Sequence, residues 1–247
     1  MTPPKVRRHY ARAPIAEAVI DVHVDNDRAV SIEKVEQLAD SLKSEFGTRL
    51  PLHQLQMGFQ VNPNGETEFS KEQQVLGYRL DRAGRVLQFR TNGFTYSHLP
   101  PYTDWTTFST EAEKYWSVYT KEMCPSRASR VAVRMINRVP LPDGDIRLDS
   151  CLNLYPTIPD SLPSDLQSLA MQLQLPMKHV DDAAFAVLQL YNAPPTSESR
   201  SIMLDIDFII QRSISIDEVF STLNVLGDAK DDIFESCITD TVRELIS

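Results

Sequence analysis

Glycine is scarce in this chain of 247 residues: there are 8, against 16 prolines, the reverse of the usual order. Neither G-x-G-x-x-G nor G-x-x-x-x-G-K-[ST] occurs. Phosphate cradles of the Rossmann and P-loop kinds need glycines to bring backbone amides close to the ligand, which argues against nucleotide binding by those routes. G-x-S-x-G, H-E-x-x-H and an EF-hand loop are absent too, so no common catalytic signature is complete. Cysteine is equally thin. Cys124, Cys151 and Cys237 are odd in number, far apart and without a C-x-x-C pair, which argues against a disulfide framework and against a thiolate zinc site. No stretch approaches the roughly 18 consecutive apolar residues that a membrane helix needs. The opening Met-Thr-Pro-Pro-Lys-Val-Arg-Arg has charge but no apolar run of signal-peptide type. A soluble cytoplasmic protein is the expectation.

What is present is ordinary globular material, 42% hydrophobic and 24% charged, enough for one large domain or two small ones. The formal net charge of −9 hides an asymmetry. Residues 1–138 hold 19 Lys+Arg and 16 Asp+Glu, net +3, whereas residues 139–247 hold 6 and 18, net −12. A basic front joined to an acidic back fits an internal electrostatic contact, a basic ligand for the back or a polyanion for the front. Two solvated faces would give the same counts.

Periodicity supplies the fold class. Ala18, Ile20, Val22 and Val24 alternate with Glu17, Val19, Asp21, His23 and Asp25, the pattern of a half-buried strand. Ile32, Val35, Leu38, Leu42 and Phe46 mark an amphipathic helix over 31–46. Strands are expected near 55–61, 75–81 and 85–91, with a turn at 82–85. A helix through Phe108, Ala112 and Tyr119 follows, opened by Thr110 and Glu113 in capping-box spacing. In the second half, strands are expected at 130–139, 184–191 and 201–210. Helices are expected from Ser164 to about Leu173, after Ser215, and at the end through Phe234, Ile238, Val242 and Leu245. The proline-rich segment 140–163 reads as a surface connection and 192–200 as an exposed hairpin loop. The halves, 1–125 and 126–247, read as β-α-β-β-β-α and β-(β)-α-β-β-α-α. They predict an α+β fold: a largely antiparallel sheet with helices on one side, two such halves forming one continuous domain or a pair. Helix-grip and TATA-binding-protein-like folds have this element order, an analogy that carries no function.

Three constellations are candidates for chemistry. Asp205 and Asp207 share one face of a strand, roughly 7 Å apart. Such a pair, with Glu17, Asp21 or His23 from a neighbouring strand, suits Mg²⁺ or Mn²⁺; a wet strand face or pairing with an arginine strand is the alternative. Arg130, Arg134 and Arg138 project from another strand and flank Asn137; guanidinium forks fit an anion, or an internal network with Asp205 and Asp207. The tract from Asn92 to Trp105 interleaves Phe94, Tyr96, Tyr102 and Trp105 with Asn, Ser and His, suited to stacking, to a partner surface or to anchoring a loop over a sheet. His53 and His179 have no partner at ligand spacing. The basic arm of Lys5, Arg7, Arg8, His9 and Arg12 is a possible phosphate contact, but the net charge opposes nucleic acid binding and no RRM, KH or helix-turn-helix signature is present.

These residues together resemble a sporadically distributed, uncharacterised bacterial and archaeal family. Its opening Tyr-x-x-x-Pro-Ile-x-Glu-Ala-Val is matched by Tyr10, Pro14, Ile15, Glu17, Ala18 and Val19, with Ala13 where a second proline is expected. Its later motifs are matched by Gly77, Tyr78 and Arg79; by Tyr102, Trp105 and Phe108; by Arg134, Ile136, Asn137 and Arg138; and by Leu204, Asp205 and Asp207. The resemblance brings no activity; its patchy distribution implies a partner-binding role in a mobile defence or toxin-antitoxin-type gene cluster. The leading expectation is therefore a non-enzymatic protein without a cofactor. It would bind a protein partner, a second copy of itself or a small ligand through Arg134, Asn137, Arg138, Tyr102, Trp105 and Glu17. The alternatives are an Mg- or Mn-dependent enzyme on a phosphate-containing substrate, with Asp205, Asp207 and Asp21 as ligands, and a nucleic-acid-binding protein.

Overall fold

Alternating apolar and polar residues build a sheet whose helices all lie on one side. The computed structural model describes residues 8–61, 67–144, 147–159, 161–162, 167–194 and 200–247, and for 55–61 and 67–72 the backbone alone. The first half of the chain runs β1 (Ile15–Asp25), α1 (Ile32–Ser41), α2 (Lys43–Phe46), β2 (Arg49–Val61), β3 (Thr67–Arg82), β4 (Arg85–Arg90), β5 (Gly93–His98) and α3 (Trp105–Met123). The second runs β6 (Arg127–Pro140), β7 (Ala170–Pro176), β8 (Ala184–Asn192), β9 (Ser201–Ile210), α4 (Val219–Cys237) and α5 (Asp240–Ile246).

The described strands form one sheet in the order β2-β3-β4-β5-β1-β6-β9-β8-β7, antiparallel at every pairing. The order has an internal symmetry. In each half the first strand lies at the centre, the chain crosses to the outer edge, and a meander brings it back beside that first strand. A 19-residue helix, α3 or α4, then packs on the sheet. β1 and β6 pair with each other, so the two halves share one continuous sheet.

The core lies between sheet and helices. Ala18, Ile20, Val22 and Val24 of β1 face it, as do Val131, Val133, Met135 and Val139 of β6 and Ile202, Leu204, Ile206, Phe208 and Ile210 of β9. The aromatic tract supplies much of the first half's share. Tyr96 stacks on Phe108 with centroids 5.7 Å apart, and Tyr119 stacks on Phe89 at 6.0 Å and on Trp116 at 5.6 Å.

Several local expectations are revised. Residues 93–98 are a strand buried on both faces, β5, because their aromatics fill the core while Thr95 and Ser97 pack on the opposite side. α3 begins at Trp105, capped by Asp104, whose Oδ1 accepts from the Thr107 amide at 2.8 Å; the Thr110 and Glu113 box lies inside the helix. Residues 170–173 belong to strand β7, paired with β8, so the helix expected there is absent; 163–166 lie outside the described residues. The helix over 31–46 breaks at Leu42, and the final helix breaks at Ile238, where Leu152 forms a β-bridge. That bridge buries Cys151 and Leu152, so 140–163 is not wholly a surface connection. The 82–85 turn is as expected, with Ala83 at φ 44° and Gly84 at φ 80°, a conformation glycine adopts at little cost. Of the hairpin loop expected at 192–200, residues 195–199 lie outside the described residues. Among those described, no helix is long and apolar enough to cross a membrane.

Since Phe94 is wholly buried in β5 against Trp116 and Tyr119, Phe94→Ala should cost about 3–5 kcal/mol in urea unfolding. A loss near zero would mean that the tract is a surface loop.

Candidate functional site

The sequence-predicted residues fall on opposite faces of the sheet. On the helix-free face, β1 presents Glu17, Asp21 and His23, and β6 presents Arg130, Arg134, Ile136 and Arg138. The register sets Asp21 opposite Ala132, with Arg130 and Arg134 to either side. Asp21 Oδ2 accepts from Arg130 Nη1 at 2.6 Å, and its Oδ1 accepts from Arg90 Nη2 at 2.8 Å and from Thr95 Oγ1 at 2.6 Å. Arg130 Nη2 continues to Asp207 Oδ2 at 3.2 Å. The result is an alternating chain, Arg90, Asp21, Arg130 and Asp207, drawn from β4, β1, β6 and β9. His23 Nε2 lies 3.1 Å from Asp21 Oδ2. In the next row Arg134 grips Asp205 through Nε at 2.8 Å and through Nη2; Asp205 is 1% exposed and Arg134 41%.

The two central carboxylates titrate in opposite directions. Burial works against the charge of Asp21. Hydrogen bonds from His23, Thr95 and Arg90, with the Arg90 charge, outweigh it and hold the carboxyl well below its usual range. Burial dominates at Asp207 and pushes its carboxyl up, with Arg130 and Arg134 offsetting only part. Its Oδ1 is buried without a hydrogen-bond partner.

Arg134 therefore meets Asp205, whereas Arg138 meets neither aspartate. It donates to Ser201 Oγ at 2.9 Å and to the Pro194 carbonyl at 2.7 Å, tying down the start of β9. Glu17 shares the helix-free face, in register with Ile136. Asp21, Asp205 and Asp207 are each bridged by a guanidinium, and among the described residues no three His, Cys, Asp or Glu are grouped to hold a metal ion.

Asn137 is not with the arginines. Strand alternation turns it to the helix side, between Met135 and Val139, where Nδ2 donates to the carbonyls of Met135 and Leu204 at 3.1 Å each. Tyr102 and Trp105 lie on the same side of the sheet. All three line a cavity of about 1190 Å³, floored by Met135, Asn137 and Ile206 and walled by the 8–15 arm, the 102–106 turn and α4.

Each wall has a local cause. Trp105 opens α3; its Nε1 donates to Asn224 Oδ1 at 3.0 Å, and it lies so close on Gly227 that a Cβ there would sit 2.2 Å from the ring. The Tyr102 hydroxyl is buried without a partner, and burial, helped by Asp231 and Asp104, pushes its pKa up, so it stays neutral. The arm is latched by Tyr10, which donates to Glu235 Oε1 at 2.5 Å, and by Arg12, which donates to the Ser247 carbonyl at 3.1 Å. Residues 1–7, including Lys5 and Arg7, lie outside the described residues.

Lys230 and His179 also line this cavity; sequence reasoning passed over Lys230 and set His179 aside for want of a partner at ligand spacing. The signal for Lys230 is its helical phase: it follows Leu223 and Leu226 and precedes Ile233 at spacings of three and four, so it falls on the buried face of α4. Its Nζ donates to Asp231 Oδ1 at 2.6 Å and lies 5.4 Å from the Trp105 ring centre. His179 has no such signal, because it sits in the turn before β8.

No protein-family model and no curated protein matches the chain.

A depressed carboxyl stabilises the fold fully above its ordinary value of 3.8 and does so less as the pH falls below it. Asp21→Asn should therefore cost about 2–3 kcal/mol at neutral pH, with the gap to the parent narrowing below about pH 4. Asp207→Asn should cost less than Asp21→Asn at neutral pH, because burial already penalises its charged form. Urea unfolding of the three proteins at both pH values checks the order.

Proposed function

We propose that this is a non-enzymatic binding protein that takes a small ligand, or a side chain of a protein partner, in the helix-side cavity. One contrast carries the reading. On the charged face Asp21, Asp205 and Asp207 are each bridged by a guanidinium, whereas the helix side holds a hollow walled by Tyr102 and Trp105. Its volume of about 1190 Å³ exceeds the common range for small-molecule sites, roughly 300–1,000 Å³. Aromatic and apolar side chains, Tyr102, Trp105, Met135, Val180, Ile206 and Phe234, share the lining with polar and charged ones, the mixture that gives a ligand both contact area and orientation.

A ligand that binds only the folded protein raises its melting midpoint by mass action. A small-molecule library screened by thermal shift should give hits with the parent protein. Those hits should be lost in Ala229→Trp, which places an indole in the cavity from a half-buried position on α4. Hits that persist unchanged in the variant would place binding elsewhere, and a library without hits would count against the reading.

A further inference from the structure

We propose that β7, one outer edge of the sheet, pairs antiparallel with β7 of a second copy of this chain, about a two-fold axis at Leu173. No residue of β7 lines the cavity, so this inference stands apart from the binding reading above.

The edge is open and carries none of the usual blocks. β7 pairs with β8 on one side, and among the described residues no strand pairs with it on the other. Ala170, Gln172, Gln174, Leu175 and Pro176 are exposed, Leu175 to 41%. Natural sheets guard such an edge with charges, an internal proline or a bulge. The opposite edge, β2, has all three: Arg49, Pro51 and a register shift between Leu52 and His53. β7 reads Ala-Met-Gln-Leu-Gln-Leu-Pro, with no charged residue, an unbroken register along β8 and proline only as its last residue.

The backbone shows which groups are free. The Asn192 amide donates to the Leu169 carbonyl at 3.2 Å and the Met177 amide to the Ala184 carbonyl at 2.8 Å, both on the register of the strand pair. The odd-numbered residues of β7 therefore turn N–H and C=O toward β8, and Ala170, Gln172 and Gln174 turn theirs outward. Pro176 faces outward too, where its missing N–H takes nothing from β8.

The occupant that fits this edge is the same strand. About Leu173 the pattern mirrors itself, Met171 matching Leu175 and Gln172 matching Gln174. An antiparallel copy centred there overlaps β7 along its whole length. It sets Gln172 against Gln174 of the second copy as a hydrogen-bonded pair on each side of the axis. Ala170 falls against the second copy's Pro176, whose carbonyl accepts from the Ala170 amide. Leu173 meets its own copy as a non-hydrogen-bonded pair, the kind with closer side chains, and Met171 and Leu175 cross beside it. The apolar row on the helix side thus continues through the axis, and no like charges meet. Such a contact is isologous and closes on itself.

Sedimentation equilibrium through the micromolar range tests the inference. The parent protein should form a dimer and no larger species, because the contact uses up the edge. Gln172→Lys with Gln174→Lys sets like charges against each other on both sides of the axis and should raise the dimer dissociation constant about tenfold. Gln172→Lys with Gln174→Glu sets opposite charges there and should dimerise at least as tightly as the parent. Both positions are exposed, and thermal unfolding of the dilute proteins checks that the variants fold as the parent does. A parent that stays monomeric overturns the proposal, and the edge would then be open to a strand from another protein. A dimer that the two lysines leave intact forms through another surface and overturns it as well. Equal weakening by both variants would rule out the register centred on Leu173.

Discussion

A carboxylate taken out of water costs several kcal/mol unless cations and hydrogen bonds replace the solvent, and Asp21 sits at the seam of the sheet under that constraint. It is satisfied from three other strands: Arg90 of β4, Thr95 of β5 and Arg130 of β6. The register of β1 against both neighbours is what brings those groups together. A one-residue slip would turn Asp21 into the apolar core and Ile20 onto the charged face. The pairing of the two halves and the phase of the central strand are thus set by one side chain as well as by the hydrophobic pattern.

The charge asymmetry of the chain acquires a physical meaning from this seam. Arginines numbered in the basic front, Arg130 and Arg134, project from β6 onto Asp207 and Asp205 of β9, in the acidic back. A second contact joins front to back on the other face, where Tyr10 and Arg12 hold the arm to Glu235 and Ser247. Asp205 and Asp207, two of the acidic charges of the back, are therefore part of the sheet's internal structure. The helix side holds an aromatic-walled hollow, and the binding reading comes from there.

The fold class was legible because strand and helix periods are strong along β1, β6, β8, β9 and α4. The failures have specific causes. β5 reads as a loop because a strand buried on both faces has no alternation to detect, and Thr95 and Ser97 resemble surface residues until β4 and β1 enclose them. β7 alternates Met171, Leu173 and Leu175 with glutamines, but a preceding Ser and Gln imitate a helix cap. At the site, strand alternation put the arginines of β6 on one face and the aspartates of β9 on one face, and left a network between them as one of two alternatives; the link between Arg134 and Asp205 depends on β6 pairing with β9. The partner of Asp207 likewise depends on which arginine the register of β6 and β9 brings close. Asn137 was grouped with the arginines by its neighbours in the motif, although an odd-numbered position on that strand faces the helices. The cavity itself is assembled from the arm, β6, the 102–106 turn and α4, and no local pattern reports that convergence.

The central claim is that a charge pair across the β1–β6 seam couples the two halves. A double-mutant cycle between Asp21→Asn and Arg130→Gln, read by urea unfolding at neutral pH, tests it most directly. The account predicts a coupling energy of about 1–2 kcal/mol, with the double variant more stable than the sum of the single losses implies. Single losses that add within about 0.3 kcal/mol would show that the two side chains act independently and would contradict it.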